Sequence, residues 1–380
     1  MIHPDEQDTV KKAISDRIHQ DSHLLTSLRD DVRPLLGQTH RIQPRQTTAL
    51  SLVATDGGQN QVVFDPFLVQ LIRVVDSANN AYFTDVVTPA SDIDELSRSH
   101  WDGHSQPQTE LGRMMQALDV KHLRELSAMF PKAGSDNPPS PRWVEVYREL
   151  VEWAVLLEIV NTTRFGSDTL LVFDGLLRSK VFRGNLFNRF AWLLSEAMKK
   201  HWHQRRKIYL VGLAKHSKVL TRYRLAMALE GILQTPYPAY VEVPRALEEA
   251  AYTHADYARG DDIAGDRLNR FVAGKMFFVK FGSRPHDPIW PVDIFEPMRN
   301  QAAIVLGHLL SDAVNGFPVP FYPLCLQRAH ENAALVDFDY SLLQDHIIDS
   351  IRSLLGENGL DLDAFRLQDT DPSQARYWTE

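Results

Sequence analysis

Asp168-Thr-Leu-Leu-Val-Phe-Asp174-Gly175-Leu176 is the stretch on which the reading of this chain turns. Its apolar run is the pattern of a buried strand, and Asp174 stands at the tip. A carboxylate there is held rigidly at the edge of a sheet. Gly175 behind it lets the chain turn away without a side chain over the site. A second run ends the same way: Thr48-Ala-Leu-Ser-Leu-Val-Ala-Thr-Asp56-Gly57-Gly58. One aspartate–glycine pair after a strand is ordinarily a turn signal. Two of them, each after a buried-type run, suggest carboxylates on neighbouring strands meeting around a divalent metal. That chemistry suits a charged substrate, a phosphodiester first of all.

Outward from these runs, strands alternate with helices. Strands are predicted at Leu68–Val75, Ala81–Val87, Ile208–Leu213, Phe271–Phe281 and Ile289–Phe295. Helices are predicted at about 8–37, Arg142–Val160, Leu186–Trp202, Pro244–Arg259, Pro297–Val314, around Ala329-His330-Glu331, and at about Tyr340–Leu355. The alternation predicts an α/β (α+β) architecture. Residues 1–45 read as an N-terminal helical arm and 46–340 as the main domain, with a polar insertion at about 88–142. Residues 341–380 read as a C-terminal helix and tail.

Composition narrows the classes. The chain has 380 residues, 44% hydrophobic and 24% charged, a soluble globular balance. No apolar run approaches the roughly 20 residues of a membrane helix. The polar N-terminus is not a secretory signal. Cys325 is the one cysteine, so neither an internal disulfide nor a cysteine-rich zinc site is available, and a reducing cytoplasm fits. The net charge of −8 argues against a protein that coats duplex DNA by itself. It leaves a nuclease open, because metal-binding carboxylates carry negative charge that bound ions neutralise.

Further groups accompany the two aspartates. Lys215 follows the run Ile208–Leu213, where it could neutralise a phosphate or simply be a solvated loop lysine. His330 lies in a half-apolar helix, as a metal ligand, a proton donor or a satisfied core residue. The helix from Arg142 offers Glu145, Glu149, Glu152 and Glu158, of which Glu152 is favoured as a third carboxylate and Glu149 held next. The stretch Lys199-Lys200-His201-Trp202-His203-Gln204-Arg205-Arg206-Lys207, with Lys218 further on, joins cations to an aromatic ring. That pattern suits a single nucleic-acid strand, or equally a solvated helix end. His201 and His203, two apart, suit metal ligation poorly. Gly260-Asp-Asp-Ile-Ala-Gly265-Asp266 has aspartate where a phosphate-binding loop needs lysine, so ATP-driven movement would need another polypeptide.

The ordered motifs resemble the NurA nuclease family. They are the strand ending in Asp56-Gly57, a helical glutamate, the strand ending in Asp174-Gly175-Leu176-Leu177, Val211-Gly-Leu-Ala-Lys215-His-Ser217, and Phe321-Tyr-Pro-Leu-Cys-Leu-Gln-Arg-Ala-His330-Glu331. Together they span about Thr48 to Asp337. The resemblance implies a ribonuclease H-like central mixed sheet flanked by helices. It implies a manganese-dependent deoxyribonuclease that degrades DNA from 5′ ends and cuts single strands. It also implies a homodimer docked on a HerA-like hexameric ATPase, in DNA end processing or defence against foreign DNA. On this resemblance Asp56, Glu152, Asp174 and His330 would hold or serve the metals, and Lys215 would face the phosphate. Gly58 and Leu176 depart from the family's Asp-Gly-Ser pattern, and Leu176 removes a hydroxyl that could support the ligands. Hard carboxylate oxygens suit magnesium or manganese, an added imidazole tilts the choice to manganese, and two ions would clamp an in-line displacement. Two other classes remain open: a non-catalytic adaptor or cap of the translocase, and a hydrolase of small phosphate esters.

Overall fold

The computed structural model describes residues 4–46, 48–54, 61–64, 67–132, 142–203, 205–252, 270–335 and 337–355. Asp56 with its two glycines, the predicted loop at 134–141, the stretch 260–266 and the tail beyond 355 lie outside these. Among the described residues ten strands form one mixed sheet. They are β1 (His40–Arg41), β2 (Thr48–Ala54), β3 (Gln61–Phe64), β4 (Phe67–Asp76), β5 (Ala81–Val87), β6 (Thr169–Asp174), β7 (Ile208–Leu213), β8 (Ala239–Glu242), β9 (Gly274–Lys280) and β10 (Ile289–Phe295). Their spatial order is β1-β8-β9-β10-β7-β6-β2-β4-β3, with β5 also on β4. β2, β6 and β7 run parallel, and the other pairings are antiparallel. The all-apolar runs of β6 and β7 occupy the middle, buried on both faces, as parallel strands under helices require.

The helices are α1 (Pro4–Gln20), α2 (Ser22–Val32), α3 (Ile93–Ser99), α4 (Glu110–Ala117), α5 (Leu123–Leu126), α6 (Arg142–Thr162), α7 (Leu186–His203), α8 (Lys218–Leu229), α9 (Arg245–Tyr252), α10 (Ala302–Ala313), α11 (Leu324–Ala333) and α12 (Asp337–Leu355). α6 and α7 cover the β6 face that carries Phe173. Trp153 of α6 stacks on that ring at 4.3 Å, with Phe187 and Phe190 of α7 set edge-on to it. α10 and α11 lie against β2 and β6. A second, smaller apolar cluster joins Val32 and Leu35 to Val219, Tyr223 and Met227 of α8 and to Val241 and Phe278 of the sheet.

Several sequence expectations are refined. The predicted helix at 8–37 is two helices and a 3₁₀ turn, broken at Asp21 and closed by a turn with Pro34 near its start. The polar insertion is helical: Asp92 caps α3, Thr109 caps α4, and a His122–Glu125 capping box opens α5. Its buried Leu111, Met114, Met115 and Leu123 join the main core. The helix expected from Pro297 begins as a 3₁₀ turn at Glu296–Gln301. The short strands β1, β3 and β8, and helix α8, were not predicted.

One glycine governs the centre. A β-carbon on Gly212 of β7 would stand 2.5 Å from the Gly175 carbonyl oxygen and 2.8 Å from the Leu177 amide nitrogen. The chain leaving Asp174 therefore crosses directly against the backbone of β7. Gly212→Ala is expected to cost about 1–3 kcal/mol through overpacking. Urea unfolding checks this, and an unchanged midpoint would mean that the crossing has room to spare. Among the described residues no helix is long and apolar enough to cross a membrane.

Candidate active site

The parallel strands β2, β6 and β7 deliver their C-terminal ends to one end of the sheet. Leu52 pairs with Phe173, and Asp174 pairs with Leu213. Side chains alternate along a strand, so Asp174 faces away from the α6 side on which Phe173 lies. There it meets Tyr322, the residue two before α11, whose hydroxyl donates to Asp174 Oδ1 at 3.3 Å. Burial, reinforced by the Asp174 charge, raises the Tyr322 pKa far above the ordinary phenol range, so the ring remains a hydrogen-bond donor. Trp290 of β10 packs against it with ring centroids 5.0 Å apart. Lys215, two residues past β7, sets its Nζ 5.8 Å from the centroid of the same ring while remaining exposed. Asp174, Tyr322 and Lys215 are thus gathered at one place.

The remaining candidates stand around this group. His330 is half-buried on α11, eight residues past Tyr322, on a helix that lies against β2, β4 and β6. At about 1.5 Å per residue it sits roughly 9 Å along α11 from Leu324, the first residue of that helix. Ala54, the last described residue of β2, lies at this end of the sheet two residues before Asp56 in sequence. Asp56 itself is outside the described residues.

The helical carboxylates separate into two roles. Glu152 Oε1 pairs with Arg148 Nε at 3.6 Å, one turn away on α6. Glu149 is tied to the strand end instead. Ser179 Oγ, in the chain leaving Asp174, donates to Glu149 Oε1 at 2.5 Å, and Trp153 Nε1 donates at 3.4 Å. Glu149 therefore reaches the site end of β6 from the α6 face, opposite to Asp174. Burial raises its pKa against the lowering effect of those two donors.

That shift has a sign that can be tested. The folded protein holds this proton more tightly than the unfolded chain does. The stability contributed is full below the ordinary glutamate range and is lost as pH rises through the raised value. Glu149→Gln keeps the acceptor for Ser179 without the buried charge. It should raise the melting temperature at pH 7 and flatten the decline of stability above the ordinary glutamate range. A variant that melts lower at pH 7 would show that the carboxylate charge is stabilising there.

Sequence reasoning missed two features. Tyr322 meets Asp174 across 148 residues of chain; it lies inside the Phe321–Glu331 motif, but no spacing there assigned it a role. The other is the anchor of the Asp174 loop. Arg178 forks onto Asp293 through Nε and Nη2, both at 2.7 Å, and its Nη1 lies 2.7 Å from Glu248. Asp293 and Glu248 are fully buried. Burial would lower the Arg178 pKa, but the Asp293 and Glu248 charges outweigh it and raise the value.

The basic stretch is not one surface. Lys199 pairs with Glu196 at 2.6 Å. His201 is buried, with Nε2 2.6 Å from the Val160 carbonyl oxygen. Arg206 donates to the Gly166 carbonyl at 2.7 Å. Lys200, Trp202, Arg205 and Lys207 lie around the C-terminus of α7 and the start of β7. Lys218 begins α8, beyond the opposite end of β7.

The donor chemistry at the Asp174 end consists of hard carboxylate oxygens, which fit magnesium or manganese. Among the described residues no three His, Cys, Asp or Glu side chains are grouped to hold a metal ion.

No protein-family model matches the chain, and no curated protein matches its sequence. A solved structure, that of the NurA nuclease from Sulfolobus solfataricus, is similar over 94% of this chain and 98% of that chain, with 11% identity and a TM-score of 0.38. The chemistry proposed for this chain rests on its own residues.

Proposed function

We propose that this chain is a metal-dependent nuclease that cuts DNA, single-stranded or with free ends, at the sheet end occupied by Asp174. The supporting observation is the gathering of the Asp174 carboxylate, the Tyr322 phenol and the Lys215 ammonium beside the end of β2. A carboxylate next to an exposed lysine offers adjacent places for a cation and for a phosphate. Asp56, Asp174, His330 and a glutamate of α6 hold the metal in this reading. Glu152 is the favoured glutamate and Glu149 the next. Manganese, with magnesium the other suitable ion, would supply a polarised phosphate and an activated water.

The protein's own groups position and neutralise. Tyr322 fixes one Asp174 oxygen. Lys215 meets phosphate charge from the solvent side. The Ser179 hydroxyl orients Glu149. The proposal extends to a second copy of the chain and to a HerA-like hexameric ATPase that moves the DNA, since the sequence lacks a phosphate-binding loop for ATP.

The test is incubation of the purified protein with end-labelled single-stranded DNA and manganese, with and without chelator. Cleavage should need the ion and should vanish in Asp56→Ala. Chelator-resistant cleavage, or full activity in Asp56→Ala, would overturn the proposal.

A further inference from the structure

A cavity lies at the other end of the same strands. It encloses about 370 Å³ and is bounded by the start of β7, the C-terminus of α7 and the 3₁₀ turn before α10. That volume falls within the usual range for small-ligand sites, about 300–1,000 Å³. Ile208, Tyr209 and Met298, all buried, form an apolar floor. Trp202 of α7 is a half-buried wall. Arg205 and Lys207, both exposed, bring two cations to the rim, and Asp168 faces in as a carboxylate acceptor.

The backbone here is arranged at a cost. Arg205 has φ of 59°, in the left-handed region where a residue with a β-carbon is disfavoured and glycine is the ordinary choice at a helix end. Its amide donates to the Trp202 carbonyl at 3.0 Å, and the Arg206 amide donates to His201 at 3.0 Å. Trp202 and Arg205, on either side of this reversal, both line the cavity. The Lys207 amide donates to Asp168 Oδ1 at 2.8 Å, which ties the backbone there to the start of β6. Arg206, bonded to Gly166, takes no part in the lining.

We propose that this cavity is a nucleotide-binding site, in which a base stacks on Trp202 and its phosphate is held by Arg205 and Lys207. An apolar, aromatic-walled slot suits a base, whose π-face needs no particular sequence. Two cations at the rim suit the phosphate. Asp168 repels a phosphate from its own side and accepts from an exocyclic amine or a sugar hydroxyl, which sets the ligand's direction. The six residues of β6 at about 3.3 Å each place the cavity roughly 20 Å from Asp174, so it is separate from the candidate active site. The inference stands whether or not DNA is cut at that other end.

Calorimetric titration of the full chain with deoxyadenosine 5′-monophosphate, deoxyadenosine, inorganic phosphate and a six-nucleotide dA strand tests it. The monophosphate should bind saturably and more tightly than the nucleoside or phosphate alone. Trp202→Ala should weaken it about tenfold or more, the usual loss on removing a stacking ring, and Trp202→Phe should retain most of it. Arg205→Gly should also weaken binding while melting no lower than the wild type, because glycine relieves the left-handed backbone. A six-nucleotide strand that binds at least tenfold more tightly than the monophosphate would identify a strand as the source. Equal affinities would identify a free nucleotide. No saturable binding by either, or binding unchanged in both Trp202→Ala and Arg205→Gly, would overturn the assignment.

Discussion

Asparagine at position 174 is expected to abolish ion-dependent DNA cleavage while leaving thermal stability close to that of the wild type. The substitution keeps the shape of the side chain and an oxygen to accept from Tyr322, so the 3.3 Å contact survives. The negative charge is lost. A carboxylate that holds a catalytic metal carries several kcal/mol of charge stabilisation, and at about 1.4 kcal/mol per tenfold change in rate this corresponds to about 10³-fold or more. Tyr322→Phe should do less. It removes one donor to a charged acceptor, worth about 1.5–3 kcal/mol, and leaves the carboxylate in place. Cleavage rates over a manganese titration, set beside melting curves, separate the two effects. Asp174→Asn that cleaves at the wild-type rate with the same ion dependence would remove Asp174 from the chemistry.

Methionine in place of Arg178 should give the largest loss of stability, about 3–5 kcal/mol, because it leaves buried charge without its partner. The Asp293 carboxylate is fully buried and receives both prongs of the guanidinium fork. Glu248 also has Arg245 at 3.0 Å and Lys275 at 3.9 Å, so most of the penalty falls on Asp293. The double variant Arg178→Met, Asp293→Asn should therefore recover a large part of the loss. Urea unfolding of the single and double variants measures the coupling. If the single variant unfolds within about 1 kcal/mol of the wild type, the cluster tolerates an unpaired carboxylate and is not the anchor argued for here.

The centre of this fold was readable because β6 and β7 are unbroken apolar runs, and such runs are buried wherever the chain puts them. Asp174 at the end of one and Lys215 after the other followed from the same pattern. Elements with little local signal were not readable. β1 has two residues and β8 four, and they are strands only because β9 pairs with β8 and β8 with β1. The helical insertion was masked by its polar composition, although Asp92, Thr109 and the His122–Glu125 pair are ordinary local caps. Glu149 and Glu152 lie three residues apart on one helix, so spacing could not choose between them; the Ser179 hydroxyl, 30 residues away, meets Glu149. Tyr322 and Arg178 owe their roles to partners 148 and 115 residues distant, a relation that periodicity does not encode.

Val32 and Leu35 are fully buried against α8, and Arg29 and Arg33 both reach Glu230 at its far end. Residues 22–38 therefore act as a roof tile over the smaller apolar layer. Shortening the protein from its front would uncover the greasy underside of α8 and invite clumping, so shortened versions made for crystallisation or binding studies should keep residue 22 onward.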